Sequence, residues 1–498
     1  MESKLINMRV EFPNLYKINL SFLIMAKSNL NNKKFLFVTG SSGREKLMLE
    51  LSKELYNKYS TRSHFLSLAL GKTKKFFVSQ GINGENVSTV VYDNKEKNSK
   101  PDMDFLRSKE EEYNINLFDI WQIAAPRSKK RLRMTYKEVL CWMEYIIRGI
   151  EKVVNDVKPD YAMIMAISGF QYVIAYKILM KKGVRILELT NARIPSKFTF
   201  DNDLTTRWPL LVHKYAEIKK KNLNEKTLYS AKKFVNNFRK DPFRIDGSIK
   251  FKESFSNKFI RYISYIRILS YRQSIPNLKP FFLYPIKDRM MKNSKIFKKP
   301  VKGEKYVLYF LQTHPEASTS VRGKWNVNQL ALIENLAKSV PCDYKIYVKE
   351  HVLGYSRRPK TYHQEIKQHP QVRLISPTAN AIDLIKNSSL VVTITGTIGW
   401  EAILLQKPVM TFGDVFYNVF DEIIKVKNIS KLPKLVKDNL DKKIDFKKTL
   451  QFVEAVQDAT FPGIAALPGD CQNKSLSKKN ISDLVKGVEL YCKKMNFV

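Results

Sequence analysis

The stretch TITGTIGWEAILLQKPVMTFGD, residues 393–414, sets two hydroxyls (Thr395, Thr397) and two glycines (Gly396, Gly399) between an apolar run and an amphipathic one. Glycine permits close backbone approach, and the open N–H groups at a helix start form a ready anion site. With its two hydroxyls, such a turn has the chemistry to hold a phosphate; read more plainly, it is a tight strand-to-helix connection. Glu401 follows where a carboxylate would hold a ribose hydroxyl of a nucleotide whose phosphates sit on the turn, or else is a first-turn acid favoured by the helix dipole. Lys349-Glu350-His351 ends a second apolar run, where His351 is either structural or placed to donate to a phosphate, with Lys349 beside it. Gln312-Thr313-His314-Pro315-Glu316 follows a third run, and Glu316 is its acidic candidate for proton transfer.

Hydrophobic periodicity supplies the elements that must position these residues. A buried strand is expected over 390–394, the turn over 395–399, a helix over 400–406, and a further strand through VMTFG. The same alternation begins at 304, with strands EKYVLYFLQ, DYKIYVKEH and QVRLIS separated by the helical pattern of NVNQLALIENLAKSV, then AIDLIKNS as a helix. An earlier series starts with KKFLFVTGSSGREKLMLELSKELYNKY and resumes with a strand over 161–167, a helix ending at Gly183 and a strand over 184–189. Alternating β and α elements argue an α/β protein with a parallel, doubly wound sheet in each of the two series. In open sheets of this kind ligands bind outside the carboxyl ends of the strands, where all the candidate residues fall. The organisation read from the chain is an N-terminal extension (1–29), a first Rossmann-like domain (30–204), a basic, largely helical insertion or linker (205–302), a second Rossmann-like domain (303–420) and a C-terminal helical region (421–498).

Charge is the strongest compositional signal. Lys and Arg number 87 against 47 Asp and Glu, a formal net charge of +40, which implies an anionic partner or reflects a lysine-biased composition. Residues 244–300 carry 14 Lys/Arg against 3 Asp/Glu, interleaved with aromatics as in FIRYISYIRILSYR. That mixture suits an anionic membrane surface, or a nucleic-acid groove, although its helical periodicity is poor. Four scattered cysteines, Cys141, Cys342, Cys471 and Cys492, form neither a CxxC pair nor a zinc pattern. The apolar stretch over 18–26 falls short of the roughly 20 residues needed to span a bilayer. A cytoplasmic protein is expected, with peripheral binding to the inner membrane face as an extension of that reading. Asp201-Asn202-Asp203 is a DxD triplet, a pattern that can bind a metal with a diphosphate, but it is expected to follow the strand series rather than end a strand inside it; no metal or other cofactor is expected. Gly40-Ser41-Ser42-Gly43 lacks the GK[ST] ending of an NTPase loop.

Three segments, YFLQTHPEAST (309–319), KIYVKEH (345–351) and above all TITGTIGWEAILLQKPVMTFGDVFY (393–417), resemble the capsule polysaccharide biosynthesis family, which includes β-Kdo transferases. The resemblance covers roughly 303–420 and implies the GT-B glycosyltransferase fold, two Rossmann-like, doubly wound domains facing a cleft, with a nucleotide-sugar donor held mainly by the second domain. It matches Glu316 to the family's Gln/Pro/Glu loop, His351 to its Lys-Glu-His-Pro element, and Thr395 to Glu401 to its donor-binding turn. Two departures stand out: Val352 replaces the proline after His351, and His314 stands where Gln is usual before Pro315.

The function expected on these grounds is sugar transfer from a nucleotide-activated donor, CMP-Kdo-like in kind, to a surface or capsular polysaccharide or a lipid-linked glycan. The readings weighed against it are a nucleotide-sugar epimerase or hydrolase of similar fold, which needs no acceptor, and a basic nucleic-acid-binding protein, for which the chain offers no recognition motif.

Overall fold

The computed structural model describes residues 30–242 and 296–495, apart from the short stretches 41–43, 69–72, 93–99, 125–132, 165–166, 168, 202–203, 205–207, 222, 224–227, 352–353, 355–357 and 466–471. Strands β1 (Lys34–Thr39), β2 (Arg62–Ser67), β3 (Val87–Thr89), β4 (Tyr161–Ile164), β5 (Arg185–Asn191) and β6 (Lys197–Asp201) form a first sheet together with a late strand, β13 (Phe461–Pro462). Its order is β13-β6-β5-β4-β1-β2-β3. β1 to β5 are mutually parallel, whereas β6 runs antiparallel to β5 and β13 antiparallel to β6. The apolar run Phe35-Leu36-Phe37-Val38 is almost wholly buried, as a central parallel strand covered by helices on both faces must be.

The second sheet contains β7 (Tyr306–Phe310), β8 (Lys345–Lys349), β9 (Val372–Ile375), β10 (Leu390–Thr393), β11 (Val409–Thr411) and β12 (Ile424–Lys425). Every pairing in it is parallel, in the order β12-β11-β10-β7-β8-β9. Both halves therefore have the doubly wound, Rossmann-like architecture read from the sequence.

Several boundaries differ from expectation. Of the strand expected over 161–167, Tyr161–Ile164 is described as strand and 165–166 lie outside the described residues, and the helix expected to start at Trp400 starts at Ile398. Residues 205–242 supply helices Pro209–Lys220 and Tyr229–Lys240, which pack on Phe446–Asp458; Tyr229–Lys240 also rests on the helix Ile398–Leu404. Arg239 ties it there, donating to the Leu404 carbonyl at 2.8 Å and to Gln406 at 2.9 Å. Most of the basic-aromatic stretch 244–300 lies outside the described residues. The region 421–498, expected to be helical, also supplies β12 to the second sheet and β13 to the first. Two-residue strands leave too short an alternation to be seen in the sequence. Its final helix, Lys478–Met495, crosses back to pack on Glu45–Tyr59 of the first half. There Glu489 accepts from Tyr59 at 2.6 Å and pairs with Lys58 at 3.0 Å.

Candidate active site

β7 and β10 are neighbours at the centre of the second sheet, and the chain leaves them toward opposite edges: from β7 to β8, from β10 to β11. This is the topological switch point of a doubly wound sheet, and the divergence of the two connections opens a crevice at the carboxyl ends. Gln312 and Thr313 extend β7 into it, and Thr395, Gly396 and Thr397 extend β10.

The floor of the crevice is a small buried network. Rotated so that its carboxamide oxygen faces the turn, Gln312 accepts from the amides of Thr395 (3.0 Å) and Gly396 (2.6 Å) and from the Thr393 hydroxyl (2.9 Å). The Thr395 hydroxyl donates to the Ser318 carbonyl at 2.8 Å, so it tethers the loop after β7. The glycines answer to neighbouring side chains. A Cβ on Gly396 would lie 2.7 Å from Thr393 Oγ1 and 2.9 Å from the Gln312 carboxamide, and one on Gly399 would overlap the ring of Tyr417. Tyr417, fully buried, donates to the Gly396 carbonyl at 2.5 Å. The half-buried groups left at the upper rim of the turn are Gly396 and Thr397. Thr397 is the N-cap of the helix Ile398–Leu404 and its side chain makes no capping hydrogen bond there.

The β8 end builds the second wall. Glu350 is fully buried and gathers three donors: the His351 amide at 2.5 Å, His363 Nε2 at 2.7 Å and the Arg358 guanidinium. Arg358 also donates to the Gln312 carbonyl at 2.6 Å, which links the β8 end to the β7 end. This hub fixes the backbone of His351, whose Nδ1 lies 3.2 Å from the Thr313 hydroxyl. Burial pushes the His351 pKa below its ordinary value, against an opposing pull from the Glu316 and Glu350 carboxylates. The imidazole is therefore neutral at pH 7, with one N–H to give. Glu316 is exposed at the head of a short turn of helix, with the Ser318 hydroxyl 3.5 Å from its carboxylate and its own amide donating to Thr319 Oγ1 at 3.3 Å.

Thus Glu316, His351 and the turn 395–399 converge on one crevice, and the hydrogen bonds join them through Gln312 and Thr313. Lys349 stands apart. Its ammonium is buried and donates to the carbonyls of Pro377 (3.0 Å) and Glu350 (3.4 Å), toward β9 and away from β10, and burial pushes its pKa down to about 8. Glu401 is the fourth residue of its helix, half-buried, with its amide donating to the Thr397 carbonyl at 3.3 Å.

Two groups escaped sequence reasoning. Glu350 was visible only as the middle of a charged triplet. The other is a bridge to the first half of the protein: Arg322, on the loop after β7, reaches Glu188 at 3.5 Å and Asp201 at 3.9 Å. These acids pair directly across β5 and β6 and are almost fully buried, and Glu188 also accepts from the Ile167 amide at 3.0 Å. The available signal was a carboxylate interrupting the apolar strand RILELT. A second bridge joins Lys324 to Asp119, and a third runs from Trp400 Nε1 to the Arg193 carbonyl at 3.1 Å. Among the described residues no group of three His, Cys, Asp or Glu side chains is assembled as a metal site; Asp201, expected to follow the strand series, instead ends β6, because it pairs with Glu188 of β5, and Asn202 and Asp203 lie outside the described residues.

Residues 255–420 match a family described as "Capsule polysaccharide biosynthesis protein", which bears out the resemblance drawn over 303–420. Protein FixF of Sinorhizobium fredii is 34% identical over 107 residues; the match takes in 20% of this chain and only 24% of that protein's length. Among solved structures, the beta Kdo 2,7 transferase of Thermosulfurimonas dismutans KpsC aligns with a TM-score of 0.38 at 13% identity, over 69% of this chain and 89% of that one. A putative UDP-N-acetylglucosamine 2-epimerase from Listeria monocytogenes aligns with a TM-score of 0.29 at 12% identity, over 95% of this chain and 98% of that one.

Proposed function

We propose that this protein, which carries the capsule polysaccharide biosynthesis segment over residues 255–420, is a glycosyltransferase of the GT-B type. Its donor is a nucleotide-activated sugar, CMP-Kdo-like in kind, and its acceptor a surface or capsular polysaccharide or a lipid-linked glycan. The observation that carries this reading is the convergence at the switch point of the three segments bearing the family resemblance, with Gln312 bonded to the turn and Thr313 to His351.

In this reading the donor phosphate lies on Gly396 and Thr397, at the upper rim of the turn, and the neutral imidazole of His351 donates its one N–H to a phosphate oxygen. Glu401 holds a ribose hydroxyl one helical turn further on. Glu316, exposed at the head of its short helical turn, accepts the proton of the acceptor hydroxyl. The acceptor oxygen bonds to the anomeric carbon as the bond from that carbon to the phosphate oxygen breaks, and the negative charge stays on the departing nucleotide. Preorganised donors at the departing phosphate and a fixed distance between the two substrates supply the rate enhancement.

The test is nucleotide release from a panel of CMP-, UDP- and GDP-sugars, with and without glycan acceptor. Release that depends on acceptor, with a lengthened glycan as product, is the expected result; equal release without acceptor points instead to an epimerase or hydrolase. Glu316→Gln should lower turnover by about 10²- to 10⁴-fold, with nucleotide affinity nearly unchanged. Turnover retained in that variant would move the proton acceptor elsewhere.

A further inference from the structure

Four of the five tryptophans are buried: Trp121, Trp142, Trp208 and Trp400 are each 8% exposed or less. Trp325 is 83% exposed, more than any other large hydrophobic side chain among the described residues. A single exposed apolar side chain is ordinarily unremarked on a protein surface. The setting of Trp325 is not ordinary, because the chain is tied down on each side of it. Arg322 carries the bridge to Glu188 and Asp201, and its carbonyl accepts from the Asp414 amide at 2.9 Å. Lys324 pairs with Asp119 on the helix Leu117–Ala124 of the first half and lies over the Trp325 ring, 5.0 Å from its centroid. Asn326 donates to the Phe412 carbonyl, just beyond β11, at 2.6 Å. The indole is thus presented by a loop tied both to the first half and to the carboxyl edge of the second sheet, the edge that bears Glu316 and the turn.

We infer that Trp325 is a stacking platform for a sugar ring of the acceptor glycan, positioned by the Arg322 and Lys324 bridges at the rim of the cleft. The chemistry of the rim selects this occupant. A protein partner would need several hundred Å² of contiguous apolar surface, whereas here one indole stands between the polar Lys324 and Asn326 in the chain, with the Lys324 ammonium over its ring. One apolar face among hydrogen-bonding groups suits a pyranose, which offers a patch of C–H bonds on its face and hydroxyls around its edge. The chain's formal net charge of +40 favours acidic over neutral glycans. An aromatic ring fixed by two bridges contributes binding at little cost in lost side-chain freedom.

The inference rests on the glycosyltransferase reading for the identity of its ligand, but its test does not need turnover. Calorimetric titration of the full chain with hexagalacturonate and with maltohexaose measures glycan affinity directly. Wild-type protein should bind hexagalacturonate more tightly than maltohexaose. Trp325→Ala should lose roughly tenfold in affinity, as for other solvent-shielded tryptophan contacts, Trp325→Phe should retain most of it, and nucleotide affinity should not change in either. In the wild type, hexagalacturonate should protect tryptophan fluorescence from iodide quenching, since the other four indoles are buried. No binding of either glycan, or affinity within twofold of wild type in Trp325→Ala, overturns the inference. Acceptor-dependent turnover that is unaltered in Trp325→Ala would remove this inference and leave the glycosyltransferase reading standing. Glycan binding lost in Trp325→Ala, with nucleotide release independent of acceptor, would do the reverse.

Discussion

Gln312, just beyond β7, and Thr393, the last residue of β10, meet side chain to side chain at 2.9 Å beneath the turn that follows β10. Both are buried, so the two central strands are joined where their connections diverge. Gln312→Leu keeps the volume but leaves the amides of Thr395 and Gly396 without the carboxamide oxygen. An unsatisfied buried donor costs about 1–3 kcal/mol. Denaturant unfolding should show a loss of that order, together with weakened nucleotide binding; unchanged stability would mean that the turn re-forms without Gln312.

The contacts at Gly396 separate binding from folding. Gly396→Ala should destabilise the protein, because its Cβ would press on Thr393 and Gln312, which have no free space to move into. Thr397→Val removes one hydroxyl at the rim and leaves the packing alone. The expected result is wild-type melting behaviour with roughly tenfold weaker nucleotide binding, about one hydrogen bond to a charged oxygen. Thermal shift with and without nucleotide measures both in one experiment, and full affinity in Thr397→Val would take the phosphate off this turn.

His351 gives a pH signature with a defined sign. Its pKa in the folded protein is lowered by burial below the unfolded value, so its contribution to stability is complete above about pH 6.5 and is lost as pH falls through the folded value. A bound phosphate reverses the preference, since an anion favours imidazolium. Nucleotide-sugar affinity should therefore be flat above neutrality and rise as pH falls toward 6, with proton uptake visible as buffer-dependent binding enthalpy. His351→Gln should abolish both the uptake and the pH dependence; a titration identical in the variant would place the phosphate out of reach of this residue.

Residues 244–300 supply a prediction about location. A transferase that extends a lipid-linked glycan must approach the leaflet, and each Lys or Arg near an anionic surface is worth about 1 kcal/mol. The protein should sediment with anionic but not neutral vesicles and be released by salt. Replacing Arg261, Arg267, Arg272, Lys298 and Lys299 with Gln should abolish that binding. Equal binding to both vesicle types would leave the charge without a membrane role. Among the described residues no helix is long and apolar enough to cross a membrane.

The parallel sheets were legible because their strands are continuous apolar runs and the helices between them keep their own period. The turn 395–399, Glu316 and His351 were legible for a related reason: each directly follows such a run, and the carboxyl ends of parallel strands share one edge. What gave Gly396 and Gly399 their purpose was not legible. The freedom read as room for a ligand is taken up by Gln312, Thr393 and Tyr417, and Tyr417 lies 18 residues beyond Gly399. Lys349 shows the same limit: strand position placed it at the right edge, but only the carbonyls of Pro377 and Glu350 decide where its ammonium goes. Contacts between the two halves, such as Arg322 with Glu188 and Asp201, leave at most a carboxylate inside an apolar strand, which does not name its partner.

The return of the chain to its first half sets an order for synthesis. Thr199, on β6, donates to the Ala459 carbonyl, 260 residues later, at 2.7 Å, and β13 completes the first sheet from the same late segment. The second sheet draws all its strands from Tyr306 to Lys425. On the ribosome, the later half of the protein can therefore close its sheet while the earlier half still exposes the edge of β6 and the apolar face of Glu45–Tyr59, awaiting β13 and Lys478–Met495. The half made first is finished last, and through that interval its uncovered strand edge is the surface that a chaperone must guard.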